Sequence, residues 1–267
     1  MELQARYDDL KKQGLGLVAV SYDPTDTLKK FADSRGITFP MVSDPGSAII
    51  KQYGLLNETM DPKTRFYGVP HPGTFMIDSK GVVTARYFED AYQERSTVGS
   101  ILTRQGSLAA GSAASSETMH LKVSASVSDS QAAPGKRLSL AFNVSPKKDM
   151  HVYAPGKHSY QVIAVTVDPQ PWLKAQPTVY PPSQIHDFKP LNEKVEVYSQ
   201  PFKLVRDVTI LATGDAQKLL AGMSNVTISG QLEYQACDEK LCYAPTQVPF
   251  AFTLEIRALD RKPPTGQ

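Results

Sequence analysis

The chain has 267 residues, enough for two ordinary domains that each bury a core. Hydrophobic residues make up 41% and charged residues 21%, the balance of a globular protein rather than of a disordered or fibrous one. Its 29 basic and 27 acidic side chains leave a formal charge of +2, so charge gives no reason to expect nucleic acid or a membrane surface as partner. No run is apolar for long enough to predict a membrane-spanning helix.

Residues 1–104 alternate helical and strand patterns, which predicts an α/β domain. Between the helices, the apolar run "GLVAVSYD" predicts a strand buried on both faces, and "GTFMIDSKGVVTARYFE" predicts two strands joined by a turn. The predicted helices are "LQARYDDLKKQ", "PTDTLKKFADSRG", "SDPGSAIIKQYG" and "QERSTVGSILTR".

Three motifs of this half are "SYD" at the end of a strand, "FPMVSDP" ahead of a helix, and "HPGTFMID". Together they resemble the redoxin branch of the thioredoxin fold, the peroxiredoxin relatives, over residues 2–104. The resemblance implies a thioredoxin-like domain with a cis peptide bond before Pro72, beside the place of the family's reactive thiol. The alternative at Pro72 is an ordinary trans proline in a proline-rich bend.

The same half also departs from the redoxin pattern. Its first residues match the helix that follows the family's reactive cysteine, so we expect the earlier strands and the thiol motif to be missing. Residues 1–104 contain no cysteine, and peroxide reduction of this type needs an activated thiolate. We therefore expect an incomplete thioredoxin-like domain: either a degenerate scaffold, or a domain whose true N-terminus is missing.

The stretch "QGSLAAGSAASSE" (105–117) is small and polar, which predicts a flexible linker. After it, alternating and β-branched runs broken by Pro and Gly predict an all-β sandwich of roughly seven or eight strands over 118–258, with a tail at 259–267. The runs are "MHLKVSASVS", "KRLSLAFNVS", "YQVIAVTVD", "PFKLVRDVTIL", "NVTISGQLEYQA" and "VPFAFTLEIR".

Both cysteines of the chain, Cys237 and Cys242, lie in "QACDEKLCYAP" between two predicted strands. A disulfide that closes so short a loop would add only about 2 kcal/mol of stability, whereas a close pair in an exposed loop suits switching between dithiol and disulfide. Lys240 favours a thiolate, and its acidic neighbours Asp238 and Glu239 oppose one. Local charge therefore does not decide whether the cysteines are reactive. Redox exchange, a structural disulfide and two inert thiols all stay open at this point.

Residues 118–257 resemble the amino-terminal domain of the DsbD thiol:disulfide interchange proteins, an immunoglobulin-like module. The motifs that carry the resemblance are "HVYAPG", "VYPPSQIHDF", "EKVEVYSQPF" and "GQLEYQACDEKLCYAP". It implies that Cys242 attacks or is attacked by the partner and that Cys237 resolves the mixed disulfide. It also implies an aromatic cap near acidic side chains: Phe188 is the cap candidate, with Leu191 as its substitute, and Asp187 is a proton-handling candidate. The alternative for Phe188 is an ordinary core aromatic.

These observations predict an α/β thioredoxin-like (incomplete) domain plus an all-β immunoglobulin-like sandwich that relays electrons to or from a thioredoxin-like partner protein. The rival functions are a non-enzymatic binding module with a structural disulfide, and a peroxiredoxin-type antioxidant enzyme whose true N-terminus is missing. We expect Tyr153 and Tyr234 to fill the sandwich core, and the alternative for both is that they line the site. The five histidines show no metal-ligand spacing, so we expect no metal, and no cofactor motif occurs.

The resemblance implies an extracytoplasmic setting, the periplasm, although "MELQARYDDLKKQG" is not an export signal.

Overall fold

The structure is a computed structural model that describes residues 2–64, 67–88, 94–106, 111–188 and 193–257. It divides into two compact units, with the boundary between Val98 and Gly99. The predicted boundary lay at residues 104–105, so the last helix of the first half spans the observed division. Within these described ranges, no helix is long and apolar enough to cross a membrane.

The first unit is a mixture of short helices and short strands. Its elements are α1 Glu2–Ala5, α2 Tyr7–Lys12, β1 Ala19–Ser21, α3 Thr25–Arg35, β2 Met41–Ser43, α4 Ala48–Gln52, β3 Gly73–Ile77, β4 Val83–Phe88 and β5 Arg95–Ser96, followed by α5 Val98–Arg104 across the boundary.

Strands β1 and β2 are parallel and are connected through helix α3, which is the βαβ arrangement expected of an α/β domain. Strands β3 and β4 form a separate antiparallel pair. The expectation that "GLVAVSYD" is a strand buried on both faces is wrong: only three of its residues are in β1, and Val18 and Val20 are 56% and 41% exposed. Within the described residues β1 pairs with β2 alone. Its side chains are therefore less buried than those of a central strand in a larger sheet.

The expected cis peptide bond before Pro72 is not present, since that bond is trans. The preceding segment is held in extended pairing: Pro70 forms a β-bridge with Leu56, and the His71 amide donates to the Leu55 carbonyl at 2.6 Å. The trans isomer has the lower free energy even before proline, and the extended pairing of Pro70 and His71 accommodates a trans bond.

The second unit is almost entirely β. Its strands are β6 Ala113–Glu117, β7 Leu121–Val127, β8 Gln131–Ala132, β9 Lys136–Pro146, β10 His151–Tyr153, β11 Ala164–Val167, β12 Leu173–Val179, β13 Gln184–Phe188, β14 Glu193–Tyr198, β15 Phe202–Ile210, β16 Asn225–Tyr234, β17 Ala236–Cys237 and β18 Thr246–Ile256, with helix α6 at Gly214–Leu220.

These strands form three sheets around one hydrophobic core. The strand orders are β12-β15-β9-β7-β6, β11-β16-β18-β8 and β13-β14-β10-β17. Each sheet contributes fully buried side chains to the same cluster, for example Phe142 from β9, Ile228 from β16 and Val152 from β10. Sheets that enclose one shared core are compatible with a β-sandwich.

The six strand runs predicted from the sequence are confirmed, because each overlaps one of the strands β7, β9, β11, β15, β16 and β18 almost completely or encloses it. The linker prediction is wrong for residues 113–117, which form β6 and pair with β7 from Ala113↔Ser126 to Glu117↔Lys122. All five side chains of β6 are exposed, so the strand is held by backbone hydrogen bonds and carries no hydrophobic pattern to reveal it. Residues 107–110 and 258–267, parts of the predicted linker and tail, lie outside the described residues.

Candidate functional site

The two cysteines are joined as a disulfide in a tight hairpin. Strand β17 ends at Cys237, the chain turns at residues 238–241, and Cys242 returns to form a β-bridge with Cys237. The Asp238 carboxylate closes the turn by accepting hydrogen bonds from the Lys240 and Leu241 amides, both at 2.7 Å. These bonds, followed by one from the Tyr243 hydroxyl, lower the pKa of Asp238, so that its carboxylate is ionised at neutral pH.

The two sulfur-bearing residues differ sharply in exposure. Cys237 is 1% exposed and belongs to a small buried cluster, whereas Cys242 is exposed. The neighbouring Leu241 is also exposed, at 57%. A reagent or protein can therefore approach the disulfide from the Cys242 side.

Sheet β13-β14-β10-β17 presents two different faces. Because side chains alternate along a strand, Val152, Tyr198 and Ala236 face the main core. The other face, which we call the cysteine face, carries Cys237, Tyr153, Val195 and Val197, which form a separate buried cluster. The sheet thus fixes the disulfide on a rigid support outside the main core.

Tyr153 is the side chain that touches both sulfurs. Its hydroxyl oxygen lies 3.1 Å from Sγ of Cys237 and 3.4 Å from Sγ of Cys242. A disulfide sulfur carries no hydrogen, so the phenol is the donor. Burial, then the neighbouring Tyr160 and Glu193, raises the pKa of Tyr153 to about 12, which keeps the hydroxyl protonated.

A second tyrosine supports Tyr153. The rings of Tyr153 and Tyr160 stack in parallel, with centroids 4.3 Å apart and planes 4° apart. The Tyr160 hydroxyl donates to the Glu193 carboxylate at 2.7 Å. The imidazole of His158 lies beside both rings, and its Nε2 lies 2.8 Å from the Ala154 carbonyl oxygen. This stack holds the Tyr153 ring in place next to the sulfurs.

Histidine and phenylalanine rings extend the cysteine face across the sheet. His151 lies opposite Cys237 in the β10–β17 pairing, and its ring centroid is 4.7 Å from that of His186. The His186 ring in turn stacks on Phe188, at 6.2 Å between centroids. Burial, and then the neighbouring His186, lowers the pKa of His151 to about 4, so His151 is neutral at neutral pH.

The residues implied by the DsbD resemblance are not all brought together. Phe188 lies on the cysteine face, at the end of β13. Asp187 lies between His186 and Phe188 in the same strand, so its side chain projects from the opposite face and is exposed. The carboxylate on the cysteine face is that of Glu193, directly across from Phe188. Leu191 lies outside the described residues.

The two tyrosines predicted to fill the core divide between core and site. Tyr234 is fully buried in the main core, where its hydroxyl lies 2.7 Å from Thr118 Oγ1, so its prediction is confirmed. Tyr153 follows the alternative, because it lies in the separate buried cluster and contacts the disulfide. His151 and Tyr153 of "HVYAPG" are two residues apart and share one face of β10, but a strand of three residues is too short for that period to be recognised in the sequence.

The described residues contain no group of three or more His, Cys, Asp or Glu side chains arranged to hold a metal ion. The bonded sulfur pair can itself support thiol–disulfide exchange. A buried sulfur, an exposed sulfur and a hydroxyl donor to both suit nucleophilic attack on a disulfide.

Comparison with known proteins finds two family models that match different parts of the chain. Residues 121–254 match the family described as thiol:disulfide interchange protein DsbD, N-terminal. Residues 1–86 match the AhpC/TSA family. The first match covers the whole cysteine hairpin and the sheet that supports it.

Individual relatives match about a third of this chain. A "Putative peroxiredoxin" of Mycobacterium tuberculosis is 34% identical over 80 residues, covering 30% of this chain and 50% of that protein. Alkyl hydroperoxide reductase C of Staphylococcus aureus is 33% identical over 88 residues, covering 32% and 43%. The chain thus spans about half the length of the curated relatives it matches. Among solved structures, the N-terminal periplasmic domain of ScsB from Proteus mirabilis matches with a TM-score of 0.35 and 11% identity, over 52% of this chain and 47% of that one.

Proposed function

The chain belongs to the family of the thiol:disulfide interchange protein DsbD, N-terminal, and on that premise we propose that it relays electrons by thiol–disulfide exchange through Cys237 and Cys242. The observation that carries the proposal is the unequal exposure of one bonded pair: Cys242 is exposed and Cys237 is 1% exposed. An exposed sulfur can be reached by a partner thiolate, and a buried one is protected until the bond opens.

The exchange has two balanced steps. A partner thiolate attacks Sγ of Cys242, the Cys237–Cys242 bond breaks, and Cys237 leaves as a thiolate that takes a proton from solvent. A second partner thiolate then attacks the partner's own sulfur in the mixed disulfide and releases Cys242. The partner is oxidised to a disulfide, and this chain gains two electrons and becomes a dithiol. The reverse sequence passes the same two electrons on to an oxidised partner.

The proposed partner is a thioredoxin-like protein with two active-site cysteines. Residues 1–104 contain no cysteine, so thiol chemistry within the chain passes through Cys237 and Cys242. The proposal also includes an immunoglobulin-like arrangement for the β-rich unit, which its sheets around one core support, since all pairs along their three strand orders except β18–β8 are antiparallel. Phe188 is proposed as a cover of the cysteine face, supported by its stacking on His186.

Trapping of mixed disulfides tests the proposal on the full chain. The probe is a thioredoxin with its second active-site cysteine replaced by serine and its first activated as a thionitrobenzoate disulfide. We expect Cys237→Ser, which keeps the exposed thiol, to displace thionitrobenzoate and form a covalent complex rapidly. We expect the matched variant Cys242→Ser, which keeps the buried thiol, to react far more slowly. Failure of both variants to react would refute exchange and favour a structural disulfide, and equal rates would refute the assigned roles.

A further inference from the structure

The Tyr153 hydroxyl lies where charge develops when the disulfide opens. It is 3.1 Å from Cys237 Sγ, the sulfur that leaves, and 3.4 Å from Cys242 Sγ, the sulfur that is attacked. Tyr153 itself is 4% exposed, so this hydroxyl replaces water at the buried end of the bond. A hydrogen bond to an ionised acceptor is about twice as strong as one between neutral groups, so the contact gains strength as the thiolate forms.

Other charged or titratable groups near Cys237 give its thiolate little help. His151, directly opposite in the sheet, is neutral at neutral pH because burial lowers its pKa to about 4. Asp238, the next residue along the chain, carries a negative charge that opposes a thiolate. Glu193 is also acidic and binds the Tyr160 hydroxyl rather than a sulfur. A buried thiolate without a donor is costly, so the Tyr153 contact has a large effect.

We propose that Tyr153 is a catalytic residue of the exchange: its hydroxyl donates a hydrogen bond to the Cys237 thiolate as that sulfur leaves. The assignment rests on the proposed function. Tyrosine remains the donor throughout and loses no proton, because its own pKa lies above that of an ordinary thiol. The Cys237 thiolate takes its proton from solvent after the bond has opened. By stabilising this leaving group, Tyr153 also directs attack to Cys242.

The surroundings of Tyr153 fit a fixed donor. Its backbone lies in β10, paired with β14 on one side, while β17 pairs with the same strand on the other. Its ring is stacked on Tyr160, whose hydroxyl is held by Glu193. A phenylalanine at position 153 would keep the ring stacking and remove only the hydroxyl.

Tyr153→Phe in the full oxidised chain tests the assignment, with Tyr198→Phe as the matched control. Tyr198 is 4% exposed and belongs to the same sheet, but its hydroxyl donates to the Pro181 carbonyl on the other face. The rate of reduction by dithiothreitol should fall about tenfold in Tyr153→Phe, the value expected for loss of one charge-assisted hydrogen bond. The same rate should stay unchanged in Tyr198→Phe.

A second readout separates catalysis from folding. In a Cys242→Ser background, the pKa of the Cys237 thiol is measured from the pH dependence of its alkylation, with and without Tyr153→Phe. We expect the substitution to raise that pKa by about one unit, a shift that a purely structural role would not produce. Should Tyr153→Phe fail to fold, ultraviolet resonance Raman spectra of Cys242→Ser take its place, and a tyrosine signal that does not change as Cys237 ionises would overturn the assignment.

The outcomes distinguish the two proposals. If thioredoxin and dithiothreitol reduce wild type and Tyr153→Phe equally fast, and the pKa of Cys237 is the same in both backgrounds, the role of Tyr153 is refuted while exchange stands. If dithiothreitol reduces the wild-type disulfide and the thioredoxin neither reduces it nor forms a mixed disulfide, the proposed function fails.

Discussion

His151 and Cys237 lie directly opposite each other in the antiparallel pairing of β10 and β17. His151 is 7% exposed, and its ring contacts those of Tyr153 and His186. The register places an uncharged imidazole beside the buried sulfur. The burial of this imidazole has a consequence for stability against acid.

The first prediction concerns acid. The pKa of His151 falls from its usual 6.5 to about 4 on folding, because burial disfavours the charged ring. Between these values the unfolded chain binds a proton that the folded chain does not, so folding stability rises with pH. The free energy of unfolding should therefore fall, by up to about 3 kcal/mol from this residue, as pH drops from 6.5 to 4. Urea unfolding at several pH values measures it.

The control for this prediction is His151→Phe, which keeps a ring and removes the titration. Other groups also titrate in acid, so the quantity of interest is the difference between the two proteins. The unfolding free energy of wild type minus that of His151→Phe should be constant above about pH 6.5 and should fall as pH drops towards 4. Parallel curves for wild type and His151→Phe would contradict the prediction.

The second prediction concerns the hairpin turn. Asp238 accepts both turn amides, so Asp238→Ala should release the Lys240 and Leu241 amides to solvent. Hydrogen exchange at these two amides should accelerate severalfold while strands β16 and β18 keep their protection. The control is Glu239→Ala, which removes an exposed carboxylate from the same turn. Equal exchange in both variants would show that Asp238 does not hold the turn.

The third prediction concerns the cover of the cysteine face. If Phe188 shields the sulfurs through its stacking on His186, Phe188→Ala should raise the rate at which dithiothreitol reduces the disulfide. The control is Ile185→Ala in the same strand, because Ile185 is 62% exposed and alternation places it on the opposite face. Unchanged reduction in Phe188→Ala would exclude Phe188 as a cover.

The fourth prediction concerns the core that supports the site. Leu204 is fully buried in β15, so Leu204→Ala should lower the free energy of unfolding by about 2–5 kcal/mol. Val179→Ala, in the neighbouring strand β12, removes an apolar side chain that is 56% exposed and should change it by less than about 0.5 kcal/mol. Chemical denaturation measures both, and similar losses would contradict the observed burial.

The sequence alone predicts β7, β9, β11, β15, β16 and β18 of the second unit, because each carries an alternating or β-branched pattern within about ten residues. Strand β16, for example, buries alternate residues from Val226 to Tyr234 as its pattern predicts. The cysteine hairpin follows from the same reasoning, since it lies between β16 and β18. Local patterns therefore identify the disulfide-bearing turn without knowledge of the sheets.

The rest of the site depends on pairing between distant strands. Strand β10 has three residues, too few to show a period, and its place between β14 and β17 brings Tyr153 to the sulfurs. The same register separates Asp187 from the cysteine face and brings Glu193 to it. The places of Asp187 and Glu193 cannot be derived from their spacing along the chain, because a shift of one residue in the pairing register would exchange the two faces of the sheet.

The reduction potential of the Cys237–Cys242 pair tests the central claim most directly. The full chain is equilibrated in defined dithiothreitol and glutathione buffers, and the dithiol fraction is measured by alkylation and mass spectrometry. An electron relay predicts a potential in the range of thioredoxin-like proteins, about −270 mV or higher. A potential below about −300 mV, the range of structural disulfides, would contradict the relay and leave Cys237 and Cys242 as a structural link of the hairpin.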